Sequence, residues 1–314
     1  VHLVVLMGGL SPEREISLKT GAAMASAYER LGHRVTTLDL TRDIATRLTE
    51  LAADCVILAL HGVPGEDGTV QGILELLGIP YTGSGVTASA LAIDKILTKR
   101  VAQGLGIAVA KDVVLRAHDP AAALAAIEAA GLSWPLIVKG NTAGSTLGLK
   151  IAHDPSELPH ALDVAFAVSP SVLIEERVEG IEISICRLGD LRLPVPQIVS
   201  GNEIFDYEAK YTPGFATHIF PPAIDPDLLA IAEMQAHWLY DTIGCTGCGR
   251  VDMIITADGT PVMLEVNTLP GMTELSLVPE AAARIGLSFD DVCAMLLAEA
   301  IARPMALPIP LGQD

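Results

Sequence analysis

Residues 250–267 read Arg-Val-Asp-Met-Ile-Ile-Thr-Ala-Asp-Gly-Thr-Pro-Val-Met-Leu-Glu-Val-Asn. Asp258-Gly259 sits between two apolar-rich runs, which is a strong short-range signal for a β-hairpin and favours a two-residue turn. With that turn, Asp252 opposes Glu265 and Arg250 opposes Asn267. Side chains alternate faces along a strand. The four polar residues therefore share one face, and Val251, Met253, Leu264 and Val266 share the other. Directly opposed residues have Cβ atoms roughly 4.5–5.5 Å apart, and two carboxylates that close repel unless positive charge stands between them. Two readings fit. A hard divalent cation, commonly Mg²⁺ with nucleotide phosphates, would use Asp252, Glu265 and Asn267, with Arg250 holding a phosphoryl oxygen. A solvated polar face neutralised by one salt bridge would show the same pattern.

The rest of the chain alternates strands and helices. His2 to Leu6 reads as a first core strand, and Val35 to Leu38 and Cys55 to Leu60 read as strands of a parallel sheet buried on both faces. The first helix is expected from about Pro12 to Leu31, with Gly32 at its C-terminal cap. A further helix is expected from Thr87 to Leu105, and another begins at Asp119-Pro120, with Asp as N-cap and Pro at the first helical position. Strands follow at Trp134–Lys139, Val172–Glu176 and Glu182–Arg187, then a helix from Asp225 to Ile243. With 314 residues, two or three domains are expected. The pattern divides the chain into an α/β unit over 1–92, a small α+β unit over 93–179, and a unit over 180–314 that carries the hairpin.

Charge and cysteine content narrow the partners. A net charge of −18 argues against nucleic acid or an anionic membrane as the main partner. No apolar run approaches the roughly 20 residues that span a bilayer, and the expected location is the cytoplasm. Five cysteines are an odd number for a disulfide scaffold. Cys245 and Cys248 form a lone CxxC, a weak metal signal without a second pair, and they read as buried small residues.

Other segments point to anionic ligands. A small-residue loop, Gly140-Asn-Thr-Ala-Gly-Ser-Thr-Leu-Gly148, follows Lys139. Glycines let backbone N–H groups approach phosphate closely, although this loop lacks the Gly-Lys-Ser/Thr ending of a Walker A motif and a plain turn has the same composition. Lys210 and Tyr211 lie in a polar stretch that suits either a closing lid or an ordinary surface loop. Glu13, at the first strand-to-helix junction, could hold a ligand ammonium or simply favour the helix dipole. His61 ends a strand, where a ligand-facing role and a buried structural one both fit. Gly8-Gly9 does not complete a dinucleotide fingerprint.

Taken in order, these pieces resemble the D-alanine–D-alanine ligases over nearly the whole chain. The motifs are Gly8-Gly-Leu-Ser-Pro-Glu-Arg-Glu-Ile-Ser17, Leu60-His-Gly62 with Gly65-Glu-Asp-Gly-Thr69, Tyr81-Thr-Gly-Ser-Gly-Val86 with Asp94-Lys95, Phe205 to Tyr211, Gly249-Arg-Val-Asp252, and Glu265-Val-Asn-Thr-Leu-Pro-Gly-Met-Thr273 with Ser276-Leu277. The resemblance implies an ATP-grasp fold: α/β, with α+β character in the ATP-binding part and a parallel-sheet N-terminal domain. It implies an ATP-dependent ligase that joins two D-alanines through an acyl phosphate, for peptidoglycan precursor synthesis, and that works as a homodimer.

The resemblance also implies roles for residues. Lys95, Lys139 and Lys210 would contact nucleotide phosphates, Glu175 the adenine and Glu182 the ribose. Asp252, Glu265 and Asn267 would hold two Mg²⁺ ions, with Mn²⁺ the alternative. Glu13 would bind the first ammonium in a set with Ser145 and Tyr211, and His61 would lie near the first carboxylate. Arg250 and the Gly271 N–H would stabilise the oxyanion. Ser276 and Leu277 would bind the second carboxylate. The glycine loop departs from the family's usual Lys-Pro and Gly-Ser-Ser, reading Lys139-Gly140 and Gly144-Ser145-Thr146. Ala143 replaces a frequent acidic residue, and Cys248 stands where an aromatic is common. Three competing readings are a ligase for a different second substrate such as D-lactate, a silent nucleotide-binding module, and a dinucleotide-dependent enzyme. Tyr211, the intact hairpin ligands and the incomplete glycine fingerprint respectively count against them.

Overall fold

The computed structural model describes residues 1–144, 147–200, 216–274 and 276–303. Ser145, Lys210 and Tyr211, with the rest of the 205–211 motif, lie outside them.

The N-terminal part builds a parallel sheet from β1 (His2–Met7), β2 (Arg34–Asp39) and β3 (Cys55–Leu58), in the order β2-β1-β3. In β1 the period of two divides the side chains between separate cores. Leu3 and Val5 join Met24 and Tyr28 of α1 (Arg14–Arg30), whereas Val4 and Leu6 join Leu48 of α2 (Ile44–Leu51) and Leu74 of α3 (Thr69–Leu77). β2 departs from the expectation of burial on both faces. It is an edge strand, and Leu38 is its only fully buried residue.

The expected single helix over 87–105 is two, α4 (Val86–Ile93) and α5 (Lys95–Gly104). Asp94 adopts extended backbone between them, and its carboxylate accepts the Leu97 N–H, as an N-cap does. The break turns the chain so that the Ile96 N–H meets the Asn141 side-chain oxygen at 2.9 Å. α5 leads through β4 (Ala108–Val109) to an antiparallel sheet. That sheet contains β5 (Asp112–Leu115), β6 (Leu136–Gly140), β7 (Lys150–Ala152) and β8 (Val172–Glu176), ordered β5-β8-β6-β7. Two helices, α6 (Pro120–Ala130) and α7 (Leu158–Phe166), supply Ala123, Ile127, Leu158 and Leu162 to its core. Asp119 caps α6 by accepting the Ala121 and Ala122 N–H groups.

The third sheet contains β9 (Ile181–Leu188), β11 (Gln197–Ser200), β12 (Ala216–Ile219), β13 (Cys248–Ile255), β14 (Pro261–Asn267) and β4, with β10 (Leu191–Arg192) on β9. One face packs on α4, α5 and α8 (Pro226–Ile243). On the other side, α9 (Leu277–Ala283) and α10 (Phe289–Ala302) share a core with the N-terminal sheet. The Tyr28 hydroxyl donates to the Cys293 carbonyl at 2.9 Å, and Arg30 pairs with Asp290 at 2.5 Å. Helices α9 and α10 thus close over the N-terminal sheet. All five cysteines are buried in these cores, and burial pushes the Cys245 and Cys248 thiols up to about 12.

Candidate active site

Arg250 pairs with Asn267 and Asp252 with Glu265 in the β13–β14 register, as the two-residue turn would give. The turn, however, is not two residues. Ile255 pairs with Pro261, the Thr256 and Thr260 backbones are bonded, and Ala257-Asp258-Gly259 forms a three-residue loop with Gly259 at φ +84°. Such a loop shifts the register by one residue. A bulge between Asp252 and Met253 restores it, leaving Leu264 as the extra residue. Leu264 therefore lines the cleft beside Glu265 instead of lying on the apolar face.

β13 is the fixed partner in this pair. It runs beside β9 without interruption from Cys248↔Leu188 to Ile255↔Ile181. That register places Ser184 opposite Asp252, and the Ser184 hydroxyl donates to the Asp252 carboxylate at 2.5 Å. Arg250 Nε reaches both Asp252 oxygens at 3.0 Å, and its NH2 group lies 3.8 Å from Glu265. Burial alone would lower the Arg250 pKa, but Asp252 and Glu265 outweigh it and hold the guanidinium more firmly protonated than usual. Lys95 lies 3.4 Å from Glu265. The Asn267 side-chain oxygen accepts the Leu269 N–H at 3.0 Å, which leaves one of its two lone pairs. Two carboxylates and an amide oxygen on one face form a hard-oxygen donor set, which fits a divalent cation.

Lys95, Lys139, Glu175, Glu182, Asp252 and Glu265 line one cleft of about 430 Å³ between the second and third sheets. Lys95 reaches it from the first turn of α5, where its ammonium also donates to the Ala143 carbonyl at 2.7 Å. Lys139 and Glu175 come from neighbouring strands, β6 and β8, and are ion-paired. Burial would push the Glu175 carboxyl up, but Lys139 and Lys99 outweigh it and hold it below its ordinary range.

Glu13 and His61 form a second cluster. The Glu13 carboxylate is buried between two glycines. A Cβ at Gly62 would stand 2.5 Å from one of its oxygens, and a Cβ at Gly144 would stand 2.8 Å from it. Gly62 lies at φ +67°, so glycine is required there twice over. His61 is buried, with Nε2 3.0 Å from the Thr20 hydroxyl and Nδ1 3.9 Å from Glu66. The glycine loop is the bridge between the two clusters: Ala143 touches Lys95, and Gly144 faces Glu13.

Gly271 and Ser276 form a third group past the end of β14. A Cβ at Gly271 would lie 3.1 Å from the Ser276 hydroxyl, which is bonded to Thr273 at 2.9 Å. Leu277 begins α9 beside them. Asn141, Ser184, Glu66 and Lys99 were not singled out by sequence reasoning. Asn141 sits in the glycine loop and was open to recognition as a polar residue among small ones. Ser184 and Lys99 act through strand register and burial, which leave no local signal.

Residues 101–298 match the family model for the D-ala D-ala ligase C-terminus, and residues 41–84 match the one for the D-ala D-ala ligase N-terminus. A D-alanine–D-alanine ligase of Moorella thermoacetica is 46% identical over 298 residues, which is 93% of this chain and 96% of that relative. Among solved structures, the fold is similar to a D-alanine–D-alanine ligase of Bacillus anthracis complexed with ATP. That match has a TM-score of 0.83 and 31% identity, over 96% of this chain and 97% of the other. A D-Ala:D-Ser ligase of Enterococcus faecalis matches with a TM-score of 0.80 and 31% identity, over 95% and 99% of the two chains.

Proposed function

The chain belongs to the D-alanine–D-alanine ligase family, and from that premise we propose how its own residues carry out the reaction. The enzyme is an ATP-binding ligase that joins two D-alanines for peptidoglycan synthesis. The observation that carries the site assignment is the cleft, in which two lysines, two carboxylates of one hairpin and three further glutamates, Glu175, Glu176 and Glu182, converge.

A carboxylate is a poor electrophile, and its phosphorylation supplies a good leaving group. In this reading Glu13 holds the ammonium of the first D-alanine, aided by Ser145 and Tyr211, while His61 lies by its carboxylate. That carboxylate oxygen attacks the γ-phosphorus, and ADP leaves. Lys95, Lys139 and Lys210 hold the phosphates, Glu182 binds the ribose and Glu175 lies by the adenine. Asp252, Glu265 and Asn267 would hold two Mg²⁺ ions, which when bound offset charge on the transferred phosphoryl group. The amine of the second D-alanine, its carboxylate at Ser276 and Leu277, then attacks the acyl carbon. Arg250 and the Gly271 N–H donate to the oxyanion. The intermediate collapses with loss of phosphate, and the amine gives up a proton. Three units over 1–92, 93–179 and 180–314, acting as a homodimer in the cytoplasm, complete the proposal. Among the described residues no helix is long and apolar enough to cross a membrane.

The test is release of ADP and phosphate from Mg-ATP with D-alanine, L-alanine, D-alanine plus D-lactate, or D-alanine plus D-serine, with products identified by mass. The D-Ala–D-Ala dipeptide should form with D-alanine alone. Asp252→Asn and Glu265→Gln should each lower kcat by about 100-fold or more, since even outer-shell changes at metal sites cost up to about that much. Near-normal turnover in both would refute the metal assignment.

A further inference from the structure

Lys99 is almost completely buried on α5, and its ammonium has used all three of its donors. One meets the Ala110 carbonyl at 2.9 Å, one Asp112 at 3.0 Å and one a Glu175 oxygen. The other Glu175 oxygen is paired with Lys139. Asp112 and Glu175 are cross-strand partners on β5 and β8, and Asp112 continues to Arg100 at 2.8 Å. The result is a line of alternating charge, Arg100–Asp112–Lys99–Glu175–Lys139, that runs from the surface to the cleft. Only Glu175 and Lys139 line the cleft itself.

We propose that Lys99 is a positioning residue for nucleotide binding: it holds the Glu175 carboxylate as an ion pair so that Lys139 can exchange Glu175 for a nucleotide phosphate. This rests on the placement of the nucleotide in the cleft proposed above. The physical reason lies in what Lys139 leaves behind. A buried carboxylate stripped of its partner is strongly unfavourable, so Glu175 would hold Lys139 back unless a second cation stayed with it. Lys99 is that cation. It lies on the side of Glu175 away from the cleft and is itself anchored by Asp112 and Ala110. Asp112 is in turn retained by Arg100, and Lys99 and Arg100 hold its carboxyl below its ordinary range against the effect of burial.

The experiment is steady-state kinetics of the full chain, with ATP and D-alanine varied separately. Lys99→Met should raise the KM for ATP by about tenfold, equivalent to about 1.4 kcal/mol. It should leave the KM for D-alanine within about twofold, and Lys99→Arg should recover most of the loss. An unchanged KM for ATP, or an equal rise for both substrates, would overturn the proposal. Lys139→Met is the control for the underlying placement. If it leaves the KM for ATP unchanged, the nucleotide is not in this cleft and the inference falls with that reading. A rise with Lys139→Met but none with Lys99→Met sinks the inference alone. Should Lys99→Met not fold, Lys99→Met with Glu175→Gln removes both charges together, so that Glu175 is not left as a buried carboxylate short of a cation, while Asp112 keeps Arg100. The proposal requires this double variant to match Glu175→Gln alone in KM for ATP. A further tenfold rise would show that Lys99 does not act through Glu175.

Discussion

Gly144 has no side chain because the Glu13 carboxylate occupies the space a Cβ would take. This steric fact links the glycine loop to the proposed ammonium site more directly than the loop's composition does. Gly144→Ala should displace either the loop or the carboxylate. Because a misplacement of about 1 Å can cost about 100-fold in rate, kcat is expected to fall by about that factor with thermal stability little changed. A crystal structure of the variant should show the Glu13 carboxylate moved. Full activity in Gly144→Ala would mean that Glu13 needs no fixed position. Residue identity was the most legible level of this site. Glu13, Lys95, Lys139 and the hairpin carboxylates all stand out by type and motif. Lys99 does not, since a lysine on a helix ordinarily reads as solvated.

At the scale of elements, the hairpin shows how a correct pairing can rest on incorrect geometry. Asp258-Gly259 signals a turn, but a third loop residue shifts the register, and only the Leu264 bulge returns Asp252 to Glu265. The irregularity falls in β14 because β13 is committed to an unbroken register with β9. Helix α8 offers a test by pH. His237 on its inner face is buried, and its Nε2 finds no partner among the described residues. Burial, with Arg192 and Arg187 adding to it, pushes its pKa down to about 4. Between pH 4 and 6.5 the unfolded imidazole binds a proton that the folded one refuses. Stability therefore rises with pH across that window and is lost on acidification. The contribution lost between pH 8 and pH 5 is about 2 kcal/mol. His237→Leu should flatten the pH dependence of the urea-unfolding free energy by about that amount. An unchanged slope would place the titration elsewhere.

At the scale of the molecule, the N-terminal and C-terminal parts are locked at a seam around Gly83 and Gly247. A Cβ on Gly247 would lie 2.7 Å from the Gly83 Cα. The Ser84 hydroxyl donates to the Thr246 carbonyl and accepts the Thr246 N–H. Arg303 spans the seam, donating to the carbonyls of Gly83 at 2.5 Å and Tyr81 at 2.9 Å while stacking on the Tyr81 ring. Arg303→Ala takes the guanidinium donor from both carbonyls, leaving Gly83 the Thr246 hydroxyl at 3.1 Å, and should cost about 2 kcal/mol, or about 3 °C in Tm. Calorimetry would read it. A Tm within 1 °C of the parent would show the seam to be held by the glycine contact and the Ser84–Thr246 bonds without Arg303.

The sequence by itself determined the elements that local rules specify. Asp119 and Asp225 start helices because a side-chain oxygen can satisfy an exposed N–H. β1 and β3 are buried strands because their apolar runs leave no face for water, and the ligand types follow from side-chain chemistry. Tertiary structure decided what depends on residues far apart in the chain. The helix over 87–105 breaks at Asp94, where Asn141 waits to receive the new N-terminus. Helix α10 joins the core of the first sheet, with Tyr28 bonded to Cys293. Lys99 is buried only because α5 lies against the strands that carry Asp112 and Glu175. Each of these costs conformational entropy that only distant partners can offset, so no window of sequence around any one of them contains the answer.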